Sequence, residues 1–317
     1  MDYILLILGI VVLLKGADYL VSGSSAIAKK FGVSSLIIGF TVVAFGTSVP
    51  DLVVSIVAAL DGQVGTVFGN VIGSNIANIL LILGVIAIIK PLNIKKTTAL
   101  REILFSLLAA IVLLLISNNF ILGGSSDSFL TRIDGLILLL FFVVFLFYFM
   151  SPKKTSKIPT EGFKQRHNIW KEIWVIIFGV IGLYLGSKWT VESVSSIALS
   201  FGVSDFLIAS TAVALGTSLP ELITSVKAAT RKESDLAIGN VIGSNIFNIF
   251  GVLGITFVIA PIEIQKLINI DILFLIFITM LLLSFVFIGK KYKLERWHGI
   301  LFIVFYVLYI IFLLLRG

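Results

Sequence analysis

Cysteine is absent from all 317 residues, so no disulfide and no thiolate-bound metal centre can be built. Histidine occurs twice, as His167 and His298, at or near expected loops, which argues against an imidazole metal centre. Charge is scarce too. Asp, Glu, Lys and Arg make up 13% of the chain, against 58% hydrophobic residues and a mean hydropathy of +1.14. So few charges cannot screen that much apolar side chain from water, and a bilayer must be the solvent. A soluble enzyme and a nucleic-acid binder are excluded by the same reasoning. The net charge of +7 does not revive the latter, because the basic residues form short clusters between apolar runs, without a basic groove of interleaved aromatics. The start, "MDYILLILGIVVLLKGADYL", has no basic leader and no small-residue cleavage site, so it reads as a first membrane helix.

What the chain does have is long apolar runs, each sufficient to cross ~30 Å of hydrocarbon. They lie near 2–28, 33–59, 64–89, 98–118, 133–150, 171–198, 203–229, 236–259, 268–289 and 298–315. The least apolar segment is "SPKKTSKIPTEGFKQRHNIW" at 151–170. The expectation is an all-α integral membrane protein of ten transmembrane helices with discontinuous core helices. It comprises a first five-helix repeat at 1–150, a cytoplasmic linker at 151–170 and a second, inverted five-helix repeat at 171–317. With the N-terminus outside, the cytoplasmic loops and their flanks hold 19 of the 24 Lys and Arg, and the outer loops hold Arg132, Lys266 and Arg316. That asymmetry predicts a multi-pass protein of a cytoplasmic membrane with both termini extracellular.

The duplication is visible in the residues. At a constant offset of 170, "FGVS" at 31–34 matches 201–204, "GTSVP" at 46–50 matches "GTSLP" at 216–220, and "GNVIGSNI" at 69–76 recurs at 239–246. Greasy helices resemble each other by scattered Leu and Val, not by Gly, Asn, Ser and Thr in register. Five helices per copy is an odd number, so the second copy enters the membrane upside down, which is a signature of secondary transporters.

Pro50 and Pro220 lack an N–H, so the carbonyls of Gly46 and Gly216 lose their helical partners and each helix breaks or kinks. Such backbone is tolerated at membrane depth only where it is buried or lines a wet cavity, and freed carbonyls suit a hard cation. Thr47, Asp51 and Ser55 lie on one helix face with Ser48 close by, and Thr217, Glu221 and Ser225 repeat the arrangement beside Ser218. On the following helices, Ser74 and Asn78, and Ser244 and Asn248, stand one turn apart. Brought together about a pseudo-two-fold axis, these residues form an oxygen-only cage for Ca²⁺ or Na⁺ and a poor one for zinc or copper. Small polar residues in membrane helices often serve only close packing. Two equivalent carboxylates, each one residue after a proline and each costing ~2.5–3.5 kcal/mol at helix centre, do not fit that role. Lys15 with Asp18 and Lys188 with Glu192 read as self-neutralising pairs or as snorkelling side chains, not as transport residues, and Asn70 and Asn240 as supporting hydrogen bonds.

"GTSVPD" and "GTSLPE", with "GNVIGSNIAN" and "GNVIGSNIFN", resemble the paired motifs of the sodium/calcium exchangers, within the Ca²⁺/cation antiporter superfamily. That resemblance implies a secondary antiporter exchanging Na⁺ for Ca²⁺, not an enzyme, with no cofactor and no obligate protein partner. Helices 2, 3, 7 and 8 would form the ion core, and helices 1 and 6 would slide as gates. It implies Asp51 and Glu221 as the Ca²⁺ carboxylates, helped by the carbonyls of Thr47 and Thr217. Sodium sites would use Ala44, Thr47, Ser48 and Ser74 on one side and Ala214, Thr217, Ser218 and Ser244 on the other, with Asn78 and Asn248 closing the middle. Two departures stand out. Asp51 occupies a position where exchangers commonly have glutamate, and Asn248 one where the potassium-dependent branch carries an acid, which argues against K⁺ co-transport. The alternatives are a cation/H⁺ antiporter, which typically has a glutamate in the second motif that this chain lacks, and a cation channel, which inverted repeats disfavour.

Overall fold

A computed structural model describes residues 2–96, 101–118, 129–150, 169–201, 214–264 and 267–316. The interior of the expected linker and the first part of the helix expected at 203–229 lie outside the described residues. All ten expected runs carry helix among those that are described.

The first helix, α1, is Asp2–Phe31. Next come α2 (Ser35–Thr47) and α3 (Val49–Leu60), which meet at Ser48 with a bend of 45°. Pro50 in the first turn of α3 removes one bond, but Ser48 keeps helical bonds on both sides, to Ala44 at 3.0 Å and from Leu52 at 3.1 Å. The chain therefore turns at one residue without unravelling. α4 is Val64–Ile89, followed by α5 (Ile103–Ser117), α6 (Arg132–Met150) and α7 (Ile169–Ser200). A second break follows: α8 (Ala214–Thr217) and α9 (Leu219–Thr230) meet at Ser218 ahead of Pro220. The remaining helices are α10 (Ser234–Ile259), α11 (Ile268–Phe285) and α12 (Arg296–Arg316). Among the described residues, six helices are long and apolar enough to cross a membrane, and the bent α2–α3 pair qualifies as a seventh span.

Two features depart from a purely α-helical expectation. Strand β1 (Leu92–Asn93) pairs antiparallel with β4 (Lys293–Leu294), and β2 (Phe129–Leu130) with β3 (Ile262–Glu263). Pro91 and Pro261 end the preceding helices, and the freed backbone finds partners across the fold. The wide π turns at Asn78–Ile82 in α4 and Phe247–Leu253 in α10 were not foreseen either.

Burial separates a centre from a periphery. α4 and α10 are 72% and 83% buried over their apolar windows, whereas α1 and α7 are 33% and 17%. α1 and α7 pack against each other through Gly9, Gly16 and Gly23 on one side and Gly179, Gly182 and Gly186 on the other. A Cβ at Gly16 would lie 2.6 Å from the Leu183 nitrogen, and one at Gly186 would lie 2.5 Å from the Leu13 nitrogen. Backbone touches backbone there, as small residues allow.

Candidate ion-binding site

The two breaks, α4 and α10 converge at the buried centre. Asp51 and Glu221 sit in the first turns of α3 and α9, one residue after their prolines, where unpaired N–H groups make the helix end partially positive. Both are almost completely inaccessible, at 0% and 1%.

Asp51 is well served. One carboxylate oxygen accepts from the Ser74 hydroxyl at 3.3 Å and the other from the Asn248 amide at 3.0 Å, with the Thr217 hydroxyl also bonded to it. Glu221 accepts from the Ser48 hydroxyl at 2.9 Å and contacts the Thr47 hydroxyl, yet its Oε2 has no partner. The hydroxyls of each break reach the other repeat. Ser48 of the first repeat serves the carboxylate of the second, Thr217 of the second serves that of the first, and Ser218 donates to Ser74 at 3.4 Å. Each break faces the opposite carboxylate, so its hydroxyls cross over.

Behind the carboxylates, Asn70 donates to the Asp51 carbonyl and the Ser55 hydroxyl, both at 3.0 Å. Asn240 does the same to the Glu221 carbonyl at 3.5 Å and Ser225 at 2.8 Å, and its Oδ1 accepts from Thr47 at 3.2 Å. The Ala44 carbonyl already takes the Ser48 N–H and the Thr47 hydroxyl, at 3.0 and 3.3 Å; Ala214 opens α8 at the equivalent position. Asn75 and Asn245 were missed by residue reading. Each donates its amide to the other's backbone carbonyl, at 3.2 and 3.3 Å, which ties α4 to α10. Their place inside the duplicated "GNVIGSNI" was the available signal. Ser187 was missed as well: its hydroxyl covers the Gly216 carbonyl freed by Pro220, at 2.6 Å.

Several buried oxygens here lack a donor: Oδ1 of Asn75, Asn78 and Asn248, Oε2 of Glu221 and Oγ of Ser244. Asn78 spends its amide on Asn245 at 2.9 Å. Bare buried acceptors are costly, and a hard cation satisfies several at once. Among the described residues no cluster of three or more His, Cys, Asp or Glu could hold a metal, so the chemistry is that of two carboxylates plus amides, hydroxyls and carbonyls. A cavity of about 590 Å³ beside the first break is a separate feature, lined by apolar residues such as Phe40, Phe142, Val180 and Phe247.

Of the two charge pairs expected within single helices, Lys188–Glu192 is present at 3.8 Å. Asp18 instead binds across helices, to Lys227 at 3.2 Å and Arg231 at 2.9 Å. The short aspartate points to the end of α9, where two cations outbid one lysine on its own helix.

Residues 1–151 and 171–315 match the family described as sodium/calcium exchanger protein. The chain belongs to the sodium/calcium exchanger family. That is a family of transporters, not of catalytic enzymes. Among its relatives, sodium/calcium exchanger MaX1 of Methanosarcina acetivorans is 35% identical over 344 aligned positions, covering 98% of each chain. Uncharacterized membrane protein MJ0091 of Methanocaldococcus jannaschii is 36% identical over 95% of this chain and 94% of its own. The solved structure of the sodium-calcium exchanger NCX_Mj soaked with 10 mM Na⁺ and zero Ca²⁺ superposes with a TM-score of 0.83, at 35% identity, covering 97% of each chain.

Proposed function

We propose that this exchanger-family chain moves Na⁺ and Ca²⁺ in opposite directions across a cytoplasmic membrane by alternating access, electrogenically and without K⁺. Its ten transmembrane helices would form two inverted repeats, 1–150 and 171–317, around a cytoplasmic linker at 151–170, with both termini outside. Asp51 and Glu221 are the shared carboxylates. Thr47, Thr217, Ser48, Ser218, Ser74, Ser244, Asn78, Asn248 and the Ala44 and Ala214 carbonyls complete the ligand set.

The observation that carries this reading is a buried pair of carboxylates surrounded by oxygens without donors, above all Glu221 Oε2, Asn78 Oδ1, Asn248 Oδ1 and Ser244 Oγ. Positive charge is what that set lacks. One Ca²⁺ neutralises the two carboxylates, whereas three Na⁺ leave a net positive charge, so exchange moves charge. Because both ions need the same carboxylates, they exclude each other, and that exclusion couples the fluxes. Empty carboxylates are costly to seal from water, so the access switch favours the loaded cage. The amide at Asn248 supports K⁺ independence, since it adds no third negative charge.

Sodium-gradient-driven ⁴⁵Ca²⁺ uptake into proteoliposomes tests the proposal. Uptake that needs a Na⁺ gradient, drives the interior negative as Ca²⁺ enters and ignores K⁺ is expected. Uptake driven by a pH gradient in sodium-free buffer would overturn it in favour of proton coupling.

A further inference from the structure

The charged residues on the peripheral helices lie outside the cage, and the duplication relates them in an unexpected way. On α1, Asp18 is gripped by Lys227 and Arg231 at the end of α9, and two turns further along Ser25 donates to Glu233. The positions 170 residues away are Lys188 and Ser195 on α7, and Asp61 and Gln63 at the end of α3. Asp18 and Arg231 thus correspond to Lys188 and Asp61. Both members have changed sign, so the pair remains complementary.

The two pairs are in different states. α1 lies along α9, but the equivalent contact between α7 and α3 is slight at most among the described residues. Lys188 turns back to Glu192 on its own helix at 3.8 Å, with both side chains more than half exposed, and Asp61 is exposed. One end of the molecule is closed by its ion pair, and the other holds the same components apart.

We infer that Lys188 and Asp61 are a second latch, made when the glycine-packed α1–α7 pair shifts and the Asp18–Lys227/Arg231 latch breaks. Asp18, Arg231, Lys188 and Asp61 are then positioning residues for the access switch, each pair stabilising one facing of the cage. This rests on the alternating-access reading above. Glycine packing lets α1 and α7 travel together, so breaking one latch brings the other within reach. Because each pair is partly solvated, each contributes modestly, which suits contacts exchanged in every cycle.

Charge reversal tests the idea. Asp61→Lys and Lys188→Asp should each slow Na⁺-driven Ca²⁺ flux about three- to tenfold. The double variant D61K/K188D should return within about twofold of the parent. Equilibrium Ca²⁺ binding in detergent should be unchanged, since neither residue touches the cage. Singles without effect, or a double no better than its parts, would overturn the latch while leaving the exchange reading intact. An independent arm uses the absence of native cysteine. Asp61→Cys with Lys188→Cys should cross-link under oxidation in one ion condition, and Asp18→Cys with Arg231→Cys in the opposite one. If the Asp61/Lys188 pair never cross-links while the Asp18/Arg231 pair does, the latch is wrong. If the parent protein shows no Na⁺-driven flux but the cross-links still alternate, the latch stands and the function fails.

Discussion

Asp51 and Glu221 occupy equivalent turns after equivalent prolines, but their surroundings differ. Both oxygens of Asp51 are bonded, to Ser74 and Asn248, whereas Glu221 has one oxygen bonded to Ser48 and one bare. The difference begins on the neighbouring helices, one turn past Ser244 and Ser74. Asn248 gives its amide to Asp51, while its counterpart Asn78 gives its own to Asn245. The backbone shows a parallel contrast. Pro220 frees the Gly216 carbonyl and Ser187 covers it, but the position equivalent to Ser187 is Ala17, which has no hydroxyl to offer Gly46. A duplicated motif thus yields one carboxylate held by the protein and one with spare coordinating capacity. The two carboxylates are therefore held unequally.

The largest test of that contrast is to remove each charge. Glu221→Gln and Asp51→Asn should each cut Na⁺-driven Ca²⁺ flux by about a hundredfold or more, the ~3 kcal/mol cost of leaving a buried ion short of a charge partner. Calcium binding by calorimetry should suffer more from Glu221→Gln, because its free oxygen is the open ligand. Equal losses of affinity would erase the distinction between the halves.

A smaller effect is expected from acids placed in the middle of the cage. Asn248→Asp removes a donor from Asp51 and sets a like charge against it, so flux at neutral pH should fall about tenfold, ~1.4 kcal/mol. Asn78→Asp, whose amide serves Asn245 and not a carboxylate, should cost less. The reverse order would show that Asn78 is the closer neighbour of the ions.

Subtler still are the two serines. Ser74→Ala deletes an existing hydrogen bond to Asp51 and should destabilise the ion-free protein by about 1 kcal/mol, whereas Ser244→Ala removes an unpartnered oxygen and should leave that stability unchanged. Thermal unfolding in chelator and sodium-free buffer reads both. A loss no larger than that of Ser74→Ala is expected from Ser187→Ala, which bares the Gly216 carbonyl at a cost of about 0.5–1 kcal/mol in the same assay. A neutral result there would mean that water replaces the hydroxyl.

Much of the fold was legible because its causes are local. Hydropathy placed the helices, and a missing N–H at Pro50 and Pro220 placed the breaks. The matched "GNVIGSNI" segments pointed to Ser74, which bonds Asp51. The ribbons β1–β4 and β2–β3 were not legible, since two-residue strands carry no periodicity and need partners far along the chain. Asn75 and Asn245 were overlooked for a similar reason: an asparagine in a membrane helix reveals its role only when the facing carbonyl is known.

Residue order alone determined the apolar solvent of this protein, its duplicated segments, its two interrupted helices and the oxygen-rich side chains beside them. These follow from transfer energies and backbone chemistry that act over a few residues. Tertiary structure alone decided that Ser48 serves Glu221 and Thr217 serves Asp51, that Asp18 leaves Lys15 for Lys227 and Arg231, and that one carboxylate keeps a bare oxygen. Hydrogen bonds and ion pairs form over about 3 Å, and only the packing of helices far apart in the chain determines which groups come that close.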